Sequence, residues 1–262
     1  MTPLDTAHAD MTAAPDDDAA RLRFYGRLAD GELFLLLEAE PEGDTLTPRV
    51  FDLDDGPVVL VFDLEERLSA FAAGPAPYAA LPGRVIAALL AGQGIGLGIN
   101  LGEAPSAMLL PPEAVDWLSE TIRHAPAEGA AWFRDAAAPA LPEALSSALD
   151  EKLARAGGLA AQALLVAVRY ADDTESHLLA FIDAVPEAEE ALARAVSEAL
   201  TFSGIEAGAL DVAFLPGADP IVGVLAQVAR RFDLPLPEAP ALREEHVPVP
   251  PGMDPDRPPI LR

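Results

Sequence analysis

Apolar residues recur along this chain in two rhythms, a helical spacing and short continuous runs, and the switches between them outline its elements. Leu22, Tyr25 and Leu28 share one face of a helix that starts near Ala19, behind acidic capping residues, and ends near Asp30-Gly31. The run Leu33-Phe34-Leu35-Leu36-Leu37 is apolar on both faces, which predicts a strand in a sheet covered by helices. Two short strands over 49–62 flank Asp54-Asp55-Gly56-Pro57, where Asp-Gly supplies the positive φ of a tight hairpin. Helices follow over 64–73, with Leu64, Leu68 and Phe71 inward, and over 83–91, with Val85, Ile86, Leu89 and Leu90 as the buried stripe. Strands over 95–101 and 107–110 lead into Pro111-Pro112-Glu113. There proline suits the first turn of a helix, and a carboxylate suits the positive end of its dipole. Val115, Leu118 and Ile122 form that helix's inner face.

A second set of elements begins after an Ala/Pro-rich stretch. Leu141, Leu145, Leu149 and Leu153 recur every four residues and predict a helix ending at Gly157-Gly158. Two apolar strands come next, over 163–170 and 177–184, and then a helix from Pro186 with Leu192, Val196 and Leu200 inward and Glu190 and Arg194 paired outside. A strand over 210–215 and a helix over 219–232, lined by Ile221, Leu225, Val228 and Phe232, complete an αββαβα order. The expected organisation is a flexible acidic tail over 1–20, a domain over 21–125, a linker over 126–141, a second domain over 142–234 and a proline-rich tail over 235–262. That last tail is read as solvated, or as extended polyproline docking on its own domain or on a partner. The fold class is α/β (α+β), with two small mixed sheets and helices packed on them.

Composition narrows the functions open to such a fold. With 51% hydrophobic residues the chain has material for real cores, and 262 residues suit two domains. A formal charge of −26 with no basic cluster argues against nucleic acid and against an anionic membrane surface as partners; solubility explains the acidity, ahead of a basic partner. No cysteine is present, which removes disulfides, thiolate nucleophiles and the commonest zinc sites. The first 20 residues lack the basic and apolar regions of a signal peptide, and no apolar run reaches the roughly 18–20 residues of a membrane-crossing helix, so a cytoplasmic location is expected.

The wording over 49–118 is distinctive: Val50-Phe51-Asp52-Leu53-Asp54-Asp55-Gly56, then Val58 to Leu68, then Gly94-Ile95-Gly96-Leu97-Gly98-Ile99-Asn100-Leu101-Gly102, then Leu109-Leu110-Pro111-Pro112-Glu113. It resembles the N-terminal domain of the SseB family of bacterial proteins, and residues 142–234 are similar in position and pattern to that family's C-terminal domain. The resemblance implies a two-domain fold but no reaction, since the family is named for a serine-sensitivity phenotype and carries no settled chemistry.

The candidate chemistry is sparse. Gly92, Gly94, Gly96 and Gly98 alternate strictly, follow a helix and enter a strand, so they fail the spacing and context of a dinucleotide fingerprint and lack the Lys and Ser/Thr of a P-loop. They read as close packing on one strand face. Asn100 and Gly102 sit at that strand's end, as a loop contact or a turn. Histidines at 8, 124, 177 and 246 are scattered; only Glu120 with His124 has ligand spacing, and a metal site needs more. Phe202-Ser203-Gly204 reads as a helix cap and no nucleophile elbow occurs. Asp52, Asp54, Asp55 and Asp63, like Asp172, Asp173 and Glu175, lie in or beside hairpins, where turn chemistry accounts for them. Trp132 and Phe133 stand out in the linker, either as interdomain packing or as a partner contact. No catalytic, metal or cofactor-binding residue is assigned. The expected role is a non-enzymatic accessory or adaptor protein binding a protein partner or small metabolite; the alternative is a hydrolase or transferase of amino-acid or sulfur metabolism, with self-association through a sheet edge a third course.

Overall fold

The computed structural model describes residues 1–41, 45–54, 56–123, 133–171, 173–205 and 210–234. Asp55, His124, Trp132, Asp172, His246 and the proline-rich stretch 235–262 lie outside them. The described residues form helices and two mixed sheets, in an α/β arrangement with one sheet in each half.

The first half runs α1 (Pro3–Ala13), α2 (Asp18–Asp30), β1 (Glu32–Leu36), β2 (Val50–Leu53), β3 (Gly56–Phe62), α3 (Glu65–Phe71), β4 (Tyr78–Pro82), α4 (Gly83–Leu90), β5 (Gly96–Ile99), β6 (Met108–Leu110) and α5 (Pro112–Arg123). Its sheet has the order β4-β1-β3-β5-β6, with β2 also on β3; β3 and β5 are parallel and the other pairs antiparallel. Strand alternation divides the apolar residues of β3 between two layers. Val59 and Val61 join Phe24, Leu28, Ile86, Leu90 and Leu118 under the helices α1, α2, α4 and α5, while Val58, Leu60 and Phe62 meet Leu68 of α3 on the opposite face.

The second half runs β7 (Phe133–Ala137), α6 (Glu143–Leu153), β8 (Gln162–Tyr170), β9 (Glu175–Ile182), a 3-10 turn at Pro186–Ala188, α7 (Glu189–Phe202), β10 (Leu210–Leu215), α8 (Pro220–Leu225) and β11 (Arg230–Asp233). β10 lies parallel to β9, β9 antiparallel to β8, and the free edge of β8 is shared end to end. β11 pairs with residues 162–165 and β7 with residues 167–170. Leu145 and Leu149 of α6 and Leu192 and Val196 of α7 cover Leu165, Leu179 and Phe181, and α8 covers Leu164, Val166 and Ala180 from below.

Several expectations are corrected. Residues 3–13, read as part of an acidic tail, form α1: Thr2 and Asp5 close a capping box, Pro3 opens the first turn, and Leu4 and Ala7 are buried against the first core. Tyr78–Pro82, where the apolar pattern predicts no element, pairs along the whole of β1 as an edge strand, where a terminal proline is tolerated. On α4, Val85 and Leu89 are exposed and Gly83, Ile86, Ala87 and Leu90 are inside, because β1 and α2 contact the helix a step round from the expected stripe. Part of the linker over 126–141 is β7. The helix expected over 219–232 stops at Leu225, and Phe232 sits on β11 opposite Ala163. Its four-residue spacing from Val228 suits a helix, but half of β8's edge needs a hydrogen-bonding partner and β11 provides it.

Candidate functional site

The carboxyl ends of the parallel strands β3 and β5 place Asp63 and Asn100 side by side. Asn100 is fully buried and left-handed, with φ +49°, while its N–H still donates to the Val61 carbonyl at 2.9 Å. Its Oδ1 accepts the Asp63 N–H at 3.1 Å and its Nδ2 donates to Ser106 Oγ at 2.9 Å. Ser106, also fully buried, comes back toward β5 on the turn that leads to β6, and Gly102 takes a φ of +80° in that turn.

The Ser106 hydroxyl donates to Asp5 Oδ1 at 2.5 Å, and Arg67 of α3 forks onto the same carboxylate, Nη1 to Oδ1 at 3.0 Å and Nη2 to Oδ2 at 2.6 Å. Arg67 Nη1 also reaches Asp63 Oδ1 at 2.6 Å, and the Thr2 hydroxyl donates to Asp63 Oδ2 at 2.5 Å. Two carboxylates therefore share one guanidinium in a nearly closed cluster, with the Asp5 side chain 1% exposed. The Arg67 fork holds the Asp5 carboxyl far below the usual carboxylate range against the opposing effect of burial, helped by Ser106 and the Thr2 N–H. Arg67 is raised in return, first by its hydrogen bond to Asp5.

A second cluster joins the halves. Arg84 of α4 forks onto Glu198 of α7, at 3.0 and 2.9 Å, and also meets Asp30 at the end of α2. Lys152 of α6 lies 2.9 Å from Asp30 Oδ1 and 2.6 Å from Glu198 Oε2, and Arg155 closes on Asp30 at 3.3 Å. Burial pushes the Asp30 carboxyl up, but Lys152 and Arg84 outweigh it and leave it lowered. Beside the charges, Phe202 of α7 belongs to the first half's core, and α2 admits it because Gly26 has no side chain: a Cβ there would lie 3.0 Å from Phe202 Cβ.

Between α2 and α6, alongside this junction, runs a groove of about 410 Å³. Gly26, Ser147, Ala148 and Phe202 line it, α2 adding Arg23 and Arg27 and α6 adding Glu143 and Glu151. A salt bridge from Arg27 to Glu151 spans it.

Of the residues singled out in the sequence, Asn100 lies in the first cluster, Gly102 only in the turn beside it, and Phe133 on β7 against the second half's sheet. His8 sits edge-on to Phe24 at 5.7 Å and His177 lies within β9. No group of three or more His, Cys, Asp or Glu side chains disposed to hold a metal occurs among the described residues. Gly98 packs as expected, a Cβ there falling 2.5 Å from Leu60 Cδ2. Asp63, read as turn chemistry, instead accepts from Arg67 and Thr2.

The reading from sequence missed Asp5, Arg67, Ser106, Asp30, Arg84, Lys152 and Glu198. Two signals pointed to them: the Thr2-Pro3-Leu4-Asp5 capping pattern, and a solitary lysine inside a leucine-lined helix.

Among the described residues no helix is long and apolar enough to cross a membrane. No curated protein and no solved structure matches the chain. The family described as SseB protein N-terminal domain matches residues 7–117, from the middle of α1 into α5, a span that takes in the whole first sheet together with Asp63, Arg67, Asn100 and Ser106. The first half of the chain is thus similar to the SseB N-terminal domain.

Proposed function

We propose that the chain is a non-enzymatic accessory or adaptor protein of the SseB family, working in the cytoplasm and binding a protein partner or small metabolite, with residues 142–234 as its SseB C-terminal-like half. The supporting observation is the direction of the perturbed ionisations. Asp5 and Asp30 are pushed down, Arg67, Arg84 and Arg169 up, and Tyr170 up through burial and its bond to Asp211. Each moves away from neutrality, whereas acid–base catalysis wants a pKa near the working pH. The charges are spent on holding elements together, which suits a scaffold.

The groove between α2 and α6 is the surface this reading assigns to the ligand, since its small-residue floor admits a side chain or a compact molecule between walls of opposite charge. Ser147→Trp fills it. Affinity capture from the native cell with wild-type bait should recover a component that the Ser147→Trp bait loses at least roughly tenfold, both baits giving the same circular dichroism. Equal recovery on both baits removes the groove from the proposal. Turnover of ester, amide or phosphoester substrates by purified chain, abolished by one side-chain substitution, overturns the non-enzymatic reading.

A further inference from the structure

We propose that Arg67, Ser106 and Asn100 form a carboxylate-binding site at the carboxyl ends of β3 and β5, which α1 fills in cis with Asp5 and which takes an external carboxylate when α1 lifts away.

The receptor is built without the plug. Ser106 is aimed by Asn100, Asn100 is fixed by the Asp63 N–H and the Val61 carbonyl, and Arg67 is steered by Asp63. Three of the four hydrogen bonds to the Asp5 carboxylate come from Arg67 and Ser106, and the fourth is the helix's own Thr2 N–H at 2.9 Å. A guanidinium fork with a buried hydroxyl is a donor set that suits a planar carboxylate. The left-handed backbone of Asn100 is the kind of local strain that persists where the surroundings impose it, and here it serves to point the amide at Ser106. The place lies at the carboxyl ends of the sheet's one parallel pair, where the chain leaves β3 for α3 and turns back from β5 into β6.

The plug is separate from the receptor in sequence. The span matched by the SseB N-terminal domain begins at residue 7, so it contains every receptor residue and neither Thr2 nor Asp5. α1 buries Leu4, Asp5 and Ala7 and leaves most of its surface to solvent. The site's ligand carries a carboxylate; a small organic acid and an acidic segment of a protein both supply one.

The test uses the full-length chain. In Asp5→Ala, sodium acetate should raise the melting temperature saturably relative to sodium chloride at equal ionic strength, by roughly 3–5 °C at about ten times its dissociation constant. Wild type and Asp5→Ala/Arg67→Met should show no such difference. A second arm adds a peptide of residues 1–14 to wild-type chain and follows hydrogen exchange of the α1 amides. The peptide should speed exchange over 3–13 at least roughly tenfold, its Asp5→Asn counterpart not. An acetate effect alone assigns the site to small acids, and a peptide effect alone assigns it to a protein segment. Neither effect, or an acetate shift equal in all three chains, makes Asp5 a fixed pin and overturns the proposal. If Asp5→Ala does not fold, the exchange measurement on wild type decides alone.

Discussion

Lys152 is the only lysine in a sequence otherwise served by arginine, and it sits where a planar fork is already present. Arg84 takes both oxygens of Glu198, so the remaining need is a compact charge that touches Asp30 and Glu198 at once, which an ammonium on a flexible stem meets. The Lys152 side chain is 11% exposed and that of Glu198 4%. Lys152→Met leaves Asp30 and Glu198 to Arg84 and Arg155 and should cost about 2–3 kcal/mol at pH 7, below the full penalty of a broken buried pair because two cations remain. Its acid behaviour follows with a definite sign. Asp30, lowered in the folded chain, contributes stability that is complete above the ordinary aspartate value of 3.8 and is lost as pH falls through the lowered native value. Without Lys152, burial acts on Asp30 with less opposition, its native value rises, and the acid unfolding transition moves to higher pH. Urea titrations between pH 7 and pH 3 measure both effects; an unchanged acid midpoint separates Asp30 from Lys152. At this scale the sequence exposes Lys152 as unusual and says nothing of its partners, because Asp30, Arg84 and Glu198 come from three other helices brought together only by packing.

Among the elements, β5 and the turn before it give the glycine series two physical meanings. Gly98 faces Leu60 and Leu101 with no room for a Cβ, while Gly94, with φ +68°, faces open space. Gly98→Ala should therefore overpack by about 1–3 kcal/mol, and much of that should disappear in a Leu60→Ala background. Gly94→Ala should cost about 1 kcal/mol through its backbone and show no coupling to Leu60. Denaturant midpoints of the two double-mutant cycles check this; coupling at Gly94 would contradict the division. The long periodic helices and apolar strands were legible for the same reason that they are stable, since each carries its own buried face. What stayed hidden were elements defined by a neighbour's needs. β4 and β7 supply hydrogen bonds to the exposed edges of β1 and β8, and β11 does so from a stretch whose spacing reads as helix. α1 has weak amphipathicity and is held by a cap, one buried carboxylate and the buried side chains of Leu4 and Ala7, too little to mark a helix in the hydropathy pattern. Asn100 was visible as a loop residue, yet Asp63 meets it only because β3 and β5 are adjacent and parallel, and Ser106 only through the turn that carries the chain back into β6.

For the whole molecule, α7 is the element that belongs to both halves. Leu192 and Val196 close the second core, while Glu198 and Phe202 reach the first, with Phe202 5% exposed. Burying a phenylalanine contributes about 2–3 kcal/mol, and here that gain falls to the half that did not encode it. On the ribosome the first half of a newborn chain is expected to stay unfinished: Phe24 and Gly26 are made early, and the ring that packs on them is added only when translation has passed residue 202. Ribosome-stalled chains just long enough to expose residue 141 should be cut by added protease within the first half, and chains long enough to expose residue 234 should resist; equal resistance would show that the early half matures alone. Protection of the first half at birth thus waits on a helix of the second.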